Sequence, residues 1–398
     1  MPAARLLDVT RTLRRAGRMA TGVDRVELAY LAQFLSDDTP CFGLARTPLG
    51  YLLLDRAGLQ GVQDRIEGRI DWGAPDLLSW SLRGRSTVGR RAEADFRRLA
   101  ITRTAVWRLP RLIGKLPLPC QYFNVGHSNL SRRVLSTLNA SGIGISVLIH
   151  DVIPLEYPQY QRPGSVDPFR KKLKCVQEWA DLVIYNSADT KARAEAQMAA
   201  WGKIPASIVA HLGTVPPQPD PSKLPSDLPP TEPYFVTVGT IEPRKNHRFL
   251  LDIWDELGPD APLLLICGGR GWNNDAVFSR LDAMGPDSRV REISNLSDPA
   301  LAALVQTASG SLFPSFAEGF GLPPLEALML KTRVLCNDLG VLHEFLGDMP
   351  VYASVSDQYQ WTRIIKEWAN TPELQETPTA FQGPTWKNHF NIVLSPRA

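Results

Sequence analysis

Short apolar runs alternate with longer segments of helical period along the first half of the chain. The runs lie at residues 5–9, 121–125, 145–149, 182–185 and 207–210. They have the length and the content of branched apolar residues that buried strands need. Strands that alternate with helices form parallel sheets joined by helical crossovers. The first half therefore predicts a doubly wound α/β domain.

The alternation stops at a proline-rich segment and then resumes. Residues 215–233 contain eight prolines, which exclude a helix or a central strand, so we interpret this segment as a linker. Further apolar runs follow at residues 234–238, 263–267, 310–313 and 333–336. We predict a first domain over residues 1–214, a second domain over 234–380 and a final helical segment over 381–398.

The composition fits two domains and makes several classes of protein unfavourable. A chain of 398 residues exceeds what one hydrophobic core usually supports, and a net charge of +3 does not imply a nucleic-acid partner. The cysteines lack the close spacing of a zinc site or a disulfide framework; they are Cys41, Cys120, Cys175, Cys267 and Cys336. We find neither a signal peptide nor a run of about 20 apolar residues. We therefore expect a cytoplasmic protein.

Two glutamates, Glu318 and Glu326, flank a turn that carries Gly319 and Gly321. An apolar run ends before the turn, and two prolines after it indicate a helix start. The unpaired amides of a helix start favour negative charge, and the glycines let the backbone approach a phosphate. A carboxylate beside a phosphate would repel it, so we expect the glutamates to accept hydrogen bonds from sugar hydroxyls. The predicted ligand is a nucleotide sugar.

This stretch resembles the signature of retaining glycosyltransferase family 4, also called glycosyl transferases group 1. The residues that carry the resemblance are Glu318, Gly319, Phe320, Gly321, Leu322, Pro323, Pro324 and Glu326, together with residues 235–246. The resemblance implies the GT-B fold, in which two Rossmann-like domains face each other across a crevice. The resemblance further implies that the last helix, within residues 381–398, crosses back to the first domain, so that the aromatic residues of 357–394 are buried and couple the lobes. It also implies that a hexose is transferred, with retained anomeric configuration and without a metal or cofactor, from a donor such as GDP-mannose or a UDP-sugar.

The resemblance implies roles for charged residues of the second domain. Glu326 would bind the nucleotide ribose, and Glu318 would bind hydroxyls of the transferred hexose near the reacting carbon. Arg244 and Lys245 would neutralise the departing diphosphate. The alternatives are an ordinary glutamate at a helix start, an acid in a solvated loop and a solvated basic turn.

One candidate glycine follows the first strand of each domain. Gly239 lies in the predicted diphosphate-binding turn, where several family members carry an arginine at the position that Thr240 occupies here. Gly22 resembles the glycine loop that brings the first domain against the donor. A lone glycine is common, so the alternative for Gly22 is a turn without a ligand.

Histidines at predicted strand ends are further candidates. His150 and Asp151 follow the run at 145–149, where side chains point into the crevice of a doubly wound sheet. By resemblance His150 contacts the donor hexose or orients the acceptor, and Asp151 orients the imidazole or acts as a base. His127 has a similar position with weaker motif support. Buried structural histidines are the alternative, and Ser187 with its neighbour Asn186 is expected to cap a helix.

Basic residues suggest where an acceptor binds. Residues 82–115 contain ten Lys or Arg with interleaved apolar residues, which fits either contact with an anionic membrane carrying a lipid-linked acceptor or a solvated helix face. Arg14, Arg15 and Arg18 predict a mobile basic loop near the acceptor. No acidic pair has the spacing expected of a metal-dependent site.

The sequence thus predicts an enzyme that transfers a hexose, in the first place mannose, to a hydroxyl of a glycan or lipid-linked acceptor in surface polysaccharide assembly. A two-lobed epimerase or phosphorylase is disfavoured by the paired glutamates. The other alternative is a catalytically silent module that binds a sugar nucleotide or scaffolds an assembly. The sugar, the base, the acceptor and the oligomeric state are not determined by the sequence.

Overall fold

The computed structural model describes residues 3–80, 86–215, 218–371 and 381–395, which form two α/β lobes. Parts of the predicted segments lie outside the described residues, namely 82–85 of the basic segment, 216–217 of the linker, and 372–380 and 396–398 near the C-terminus. The predicted domain boundaries at residues 214, 233 and 380 stay predictions.

The strands are β1 (Ala4–Asp8), β2 (Cys41–Thr47), β3 (Gly50–Leu54), β4 (Thr102–Thr104), β5 (Cys120–Asn124), β6 (Gly144–Ile149), β7 (Leu182–Tyr185), β8 (Ser207–Val209), β9 (Tyr234–Val238), β10 (Leu263–Cys267), β11 (Val290–Ile293), β12 (Gly310–Phe313), β13 (Val334–Cys336) and β14 (Val351–Tyr352). The larger helices of the first lobe are α1 (Thr10–Arg15), α2 (Gly22–Ser36), α3 (Arg56–Ile66), α4 (Leu77–Trp80), α5 (Thr87–Leu99), α6 (Leu109–Ile113), α7 (Arg132–Ala140), α8 (Ile153–Glu156), α9 (Val166–Trp179) and α10 (Ala188–Ala199). The remaining ones are α11 (His247–Leu257), α12 (Asp275–Asp282), α13 (Asp298–Gln306), α14 (Leu322–Met329), α15 (Gly340–Leu346), α16 (Gln358–Asn370) and α17 (Trp386–Val393).

The first lobe is built on a sheet with the strand order β4-β3-β2-β1-β5-β6-β7-β8. The strands from β2 to β8 in this order are parallel, as predicted, whereas β3 and β4 pair antiparallel at one edge. The sequence analysis missed β2, β3 and β4. The close pairing of β3 with β4 requires Gly50, because a Cβ there would lie 1.9 Å from the carbonyl oxygen of Thr104.

The second lobe has a six-stranded sheet in the order β11-β10-β9-β12-β13-β14, and all its pairs are parallel. Every predicted strand of both lobes is present within one residue at each end. The missed strands of this lobe, β11 and β14, are short and lie at the two sheet edges. They carry few of the apolar residues that make central strands recognisable.

Helix α17 packs on the first lobe although it follows the second lobe in the chain. His389 on α17 lies 2.8 Å from the hydroxyl oxygen of Tyr30 on α2, and the rings of Phe390 and Tyr30 are 4.9 Å apart. The aromatic residues of α16 were expected to couple the lobes, but they pack within the second lobe. Trp361 and Trp368 are buried in the core of the second lobe, against residues such as Phe249.

Arginines of α5 hold their own lobe together rather than forming a solvated face. Arg97 is buried and donates to Asp76 and Glu93, and Arg98 donates to Asp95. The prediction of a solvated helix face is therefore wrong for Arg97, and the membrane contact stays a prediction. None of the helices in the described part of the chain combines the length and apolarity needed to cross a bilayer.

Candidate active site

The glutamate turn, which begins at Glu318, joins β12 to α14 at the carboxyl edge of the second sheet. Glu326 lies within α14. Gly321 precedes α14 with a φ of +99°, a conformation that glycine adopts easily. An added Cβ there would also lie 2.6 Å from Leu342 Cδ2. The glycine is therefore needed by the protein itself, whatever ligand approaches the turn.

Glu318 is the centre of a buried charge cluster. Lys245 Nζ donates to Oε1 at 2.6 Å, and Arg244 Nη1 donates to Oε2 at 2.8 Å. Burial alone would raise the pKa of Glu318, but Lys245 and Arg244 outweigh it and hold the pKa at about 2. Glu318 is therefore a carboxylate at neutral pH and cannot serve as a proton donor.

Further bonds fix the direction of the Arg244 guanidinium. Glu242, which is buried, accepts from Arg244 Nη2 at 2.6 Å, and the carbonyl oxygen of Ala317 accepts from Nη1 at 2.7 Å. The sequence analysis did not single out Glu242, although it lies in the same turn as Arg244. Two acids thus hold the cation that was predicted to face a diphosphate.

The turn after β9 lies close to a second glycine segment that the sequence analysis missed. Gly239 has a φ of +144°, and an added Cβ on Gly268 would lie 1.9 Å from the carbonyl oxygen of Gly239. An added Cβ on Gly239 would contact Lys245 Cε at 3.4 Å. Backbone at this edge is therefore packed tightly beside one of the two cations. Thr240 follows directly, and an added Cβ on Gly271 in the same segment would lie 2.8 Å from its Cγ2.

The ion-pair partner of Glu326 comes from the first lobe, whereas the partners of Glu318 come from the second lobe. Arg25 on α2 donates to Glu326 Oε1 at 2.5 Å and to Asp298 Oδ2 at 3.1 Å. Burial raises the pKa of Glu326, Arg25 lowers it and Asp298 raises it again, so the balance is a raised pKa. No role was predicted for Arg25, because its partners are distant in the chain.

A shallow cleft lies beside this ion pair, and its volume of about 350 Å³ includes space that is open to solvent. Its lining is mainly apolar, with the charges at one side: Arg25, Val238, Asp298, Leu301, Ala302, Val305, Pro323, Glu326, Ala327 and Leu330. An apolar wall with a few converging polar groups is typical of a small-molecule site.

His150 and Asp151 lie directly against the glutamate turn. An added Cβ on Gly319 would lie 2.6 Å from the carbonyl oxygen of His150 and 2.9 Å from Asp151 Cβ. Gly319 also accepts a hydrogen bond from Thr190 at 3.0 Å. This glycine therefore permits close contact between the lobes, whereas we had expected it to make room for a phosphate.

The two candidate residues differ in their hydrogen bonds. His150 is buried and its Nε2 donates to the carbonyl oxygen of Val125 at 2.7 Å, while burial lowers its pKa to about 4. Asp151 accepts from the backbone of Ile153 rather than from the imidazole. Burial raises the pKa of Asp151, and the nearby Arg244 opposes this effect. His150 is therefore neutral at pH 7, and Asp151 is the stronger candidate for a base.

The remaining candidates lie around the same turn or beneath it. Gly22 begins α2, and an added Cβ there would lie 3.1 Å from Leu322 Cδ1. The Phe320 ring is buried and stacks on Phe345 with centroids 4.2 Å apart, so this side chain belongs to the core. His127 Nε2 donates to the carbonyl oxygen of Leu148 at 2.9 Å, and burial lowers the pKa of this histidine.

The helix cap was predicted correctly for one of two residues. The Ser187 side chain accepts from the backbone of Thr190 at the start of α10. Asn186 instead donates to the carbonyl oxygen of His150 at 2.9 Å. The predicted mobile basic loop is wrong in part, because Arg14 and Arg15 lie on α1 and Arg15 pairs with Asp24.

The lobes are also joined by a pair of neighbouring loops. Trp272 Nε1 donates to the carbonyl oxygen of Tyr160 at 2.9 Å, and the ring of Tyr160 stacks on Phe316 with centroids 5.4 Å apart. Arg162 lies over the Trp272 ring at 4.4 Å. These contacts bring the segment after Asp151 against the glutamate turn.

The second lobe matches a known family of proteins. Residues 221–380 match the family model described as glycosyl transferases group 1. The chain is 30% identical over 279 residues to the serotype-specific mannosyltransferase WbdA of Escherichia coli. This alignment covers 65% of this chain and 34% of that protein. It is 34% identical over 127 residues to the O-antigen chain mannosyltransferase B of Escherichia coli, 31% of this chain and 33% of that protein. The chain thus spans about a third of the length of these curated relatives.

A solved structure agrees over nearly the whole chain. HepE from Anabaena, in a complex with UDP and glucose, superposes with a TM-score of 0.63 over 99% of this chain and 97% of that one. The sequence identity is 15%, so the likeness shows the fold. The protein has the GT-B fold that was predicted.

Proposed function

Because residues 221–380 belong to the glycosyl transferases group 1 family, we propose that this protein is a retaining glycosyltransferase. It transfers a hexose, in the first place mannose, from a nucleoside diphosphate sugar to a hydroxyl of a glycan or lipid-linked acceptor. The mannosyltransferase names of its relatives support the sugar and a place in surface polysaccharide assembly.

One observation carries the proposal: Arg244 and Lys245 converge on Glu318 at the carboxyl edge of the second sheet. Glu318 and Glu242 pair with these cations, which offsets the cost of burying them and fixes their positions. A diphosphate that departs beside them is stabilised by these fixed donors, and each well-placed donor contributes about 2.7 to 4 kcal/mol to the transition state. Lone pairs of Glu318 that the cations leave free can accept sugar hydroxyls.

Asp151 supplies the contribution of the first lobe. It lies across from Arg244, close to Gly319, and its raised pKa strengthens it as a proton acceptor. In the proposed reaction an acceptor hydroxyl enters between the lobes and loses its proton to Asp151 or to the leaving phosphate. His150 then has a supporting role, because its Nε2 proton is already bound by the main chain.

The cleft beside Glu326 is the proposed place of the nucleoside. Its apolar wall can cover a base, and Glu326 can accept the hydroxyls of a ribose. Arg25 donates to the Glu326 carboxylate, so a bound ribose must displace Arg25 or share the carboxylate with it. The donor is GDP-mannose or a UDP-sugar in this proposal.

The location and the metal requirement complete the proposal. We place the enzyme in the cytoplasm at the inner face of the membrane, where the basic segment at 82–115 would meet anionic lipid. Transfer is expected to need no metal and should continue unchanged in excess EDTA.

The test begins with thermal stabilisation by a panel of sugar nucleotides. A bound donor at 100 times its dissociation constant should add about 2.7 kcal/mol of stability. The donor that stabilises is then supplied with acceptor extract, and the anomeric configuration of the product is determined by NMR. Glu326→Ala should abolish the thermal shift, and an unchanged shift would remove the ribose assignment.

Turnover measurements on the same proteins distinguish the transferase from a catalytically silent module. Slow hydrolysis or transfer should be measurable for the wild-type protein and reduced in Lys245→Ala. Stabilisation by a sugar nucleotide without turnover in any acceptor extract would establish a binding module. Inversion of the anomeric configuration would remove the retaining mechanism and leave the transferase.

A further inference from the structure

An open cavity lies in the first lobe, and its volume of about 620 Å³ includes space that is continuous with solvent. It lies between the end of α1, the segment that joins α1 to α2, the end of α3 and the loop around Trp72. The lining residues are Thr12, Arg15, Arg18, Asp24, Leu28 and Trp72, with neighbours on the same elements. Arg15 and Arg18 of this lining belong to the basic segment that was predicted to lie near the acceptor.

The wall formed by Trp72 is held rigidly. One face of the indole stacks on Phe96, with ring centroids 6.4 Å apart and an angle of 14° between the planes. The next residue, Gly73, donates its backbone N–H to buried Asp95 at 2.8 Å and accepts from Arg91 at 3.0 Å. A half-buried tryptophan fixed in this way presents a flat apolar surface to the cavity at little entropic cost.

Fixed charges stand around this apolar surface. Arg15 donates to Asp24 at 3.0 Å, and Arg65 donates to Asp95 at 2.7 Å. Both guanidinium groups line the cavity in a defined orientation, since each is held by an acid. Arg18 lines it too and is exposed, and its side chain has no ion-pair partner within the described ranges.

Helix α2 links this cavity to the donor site. Asp24 and Leu28 point into the cavity, whereas Gly22 and Arg25, on the same turns, contact Leu322 and Glu326 of the second lobe. An α-helix with its side chains is about 10–12 Å across. A molecule in the cavity would therefore lie about one helix diameter from the donor site.

We propose that this cavity binds a hexose residue of the acceptor glycan other than the residue that receives the transferred sugar. A pyranose ring has an apolar face, which suits the Trp72 indole, and a rim of hydroxyls, which suits fixed guanidinium and carboxylate groups. The separation from the donor site means that the bound residue is one further along the acceptor chain. This inference rests on the proposed function, in which the acceptor is a glycan.

The experiment compares acceptors of different length with α-linked mannose oligosaccharides and methyl α-mannoside as probes. Binding is measured without donor, by titration calorimetry, and turnover is measured with the preferred donor. The wild-type protein should bind the oligosaccharides more tightly than the monosaccharide. Trp72→Ala and Arg18→Gln should each raise the KM for oligosaccharides by about tenfold and leave the nucleotide affinity and the KM for the monosaccharide unchanged.

Trp107→Ala is the matched control, because Trp107 is also on the first lobe but is 75% exposed and does not line the cavity. If Trp72→Ala misfolds, the exposed Arg18 still gives an independent answer. Unchanged KM values for oligosaccharides in the Arg18 and Trp72 variants would overturn the inference. So would an equal rise in the KM for methyl α-mannoside, because the cavity would then act on the sugar that receives the transferred hexose.

Failure of the proposed function has a different signature. Oligosaccharide binding that depends on Trp72, in a protein that turns over no sugar nucleotide, would retain the glycan site and remove the transferase. Normal transfer that is indifferent to Trp72 and Arg18 would retain the transferase and remove the glycan site.

Discussion

Glu318 and Glu326 come from one short motif, yet their surroundings are opposite. Glu318 is held by two cations of its own lobe, which keep its pKa at about 2 in spite of burial. Glu326 is held by one arginine of the other lobe, with Asp298 close by, and burial leaves its pKa raised. The same residue type therefore forms a permanent charge cluster at one position and an adjustable link between lobes at the other.

The difference indicates a division of labour between binding and chemistry. Charges that are fixed within one lobe keep their geometry when the lobes move, which is what stabilisation of a leaving diphosphate requires. A charge pair between lobes is made or lost as the lobes move, and it can couple nucleotide binding to that movement. The predictions below separate these two roles.

The largest effect is expected for Lys245→Ala. Removal of this cation should lower the turnover number by about 10²–10³-fold, because one donor to the leaving diphosphate is lost. Steady-state transfer with the preferred donor measures the effect. Arg248→Ala is the control, since Arg248 is close in sequence and largely exposed, and it should leave turnover unchanged. An equal loss in both variants would contradict a specific role for Lys245.

Replacement of each glutamate by glutamine should affect stability with different magnitude. Glu318→Gln leaves two buried cations with one fewer charge to balance them and should cost about 3 kcal/mol of unfolding free energy. Glu326→Gln removes a carboxylate whose raised pKa marks its charge as unfavourable, so stability should change little or increase. Denaturation in urea at pH 7 measures both. Similar losses in the two variants would contradict the comparison.

Arg25→Met should strengthen nucleotide binding by up to about tenfold. Glu326 is then free to accept the ribose without loss of an ion pair, and a pair of this kind contributes about 1 kcal/mol or less. Titration with the nucleoside diphosphate measures the affinity. Arg132→Met removes another exposed arginine of the first lobe and should have no effect. Weaker binding in Arg25→Met would instead make Arg25 a ligand of the donor.

The smallest effect is a pH dependence confined to the Glu326 pair. The pair requires the carboxylate, so its contribution is present at high pH and is lost as pH falls through the raised pKa of Glu326, above the ordinary 4.5. The stability difference between wild type and Arg25→Met should therefore shrink between neutrality and pH 4.5. The Glu318 cluster of the wild-type protein should add no pH dependence there, because Glu318 remains charged down to about pH 2.

Much of the fold could be predicted because central strands are strongly apolar. The runs that became β5, β6, β7, β9, β10 and β12 were recognisable for this reason. The edge strand β4 was missed because it is short and polar, whereas β3 is a fully buried run whose apolar signal was present but was not recognised. In the site, Arg244, Lys245 and Glu318 were predicted together, and the structure brings them within hydrogen-bonding distance. Arg25 was missed because no local pattern marks a partner 301 residues away.

The sequence by itself determined two doubly wound lobes and a turn rich in glycine and acid. Apolar periodicity and the demands of glycine and proline act over a few residues, so they can be recognised without a fold. Only the tertiary structure decided that Gly319 makes room for the main chain of His150, and that Glu326 faces Arg25. Those contacts depend on where the two lobes meet, and that is set by packing across the whole molecule.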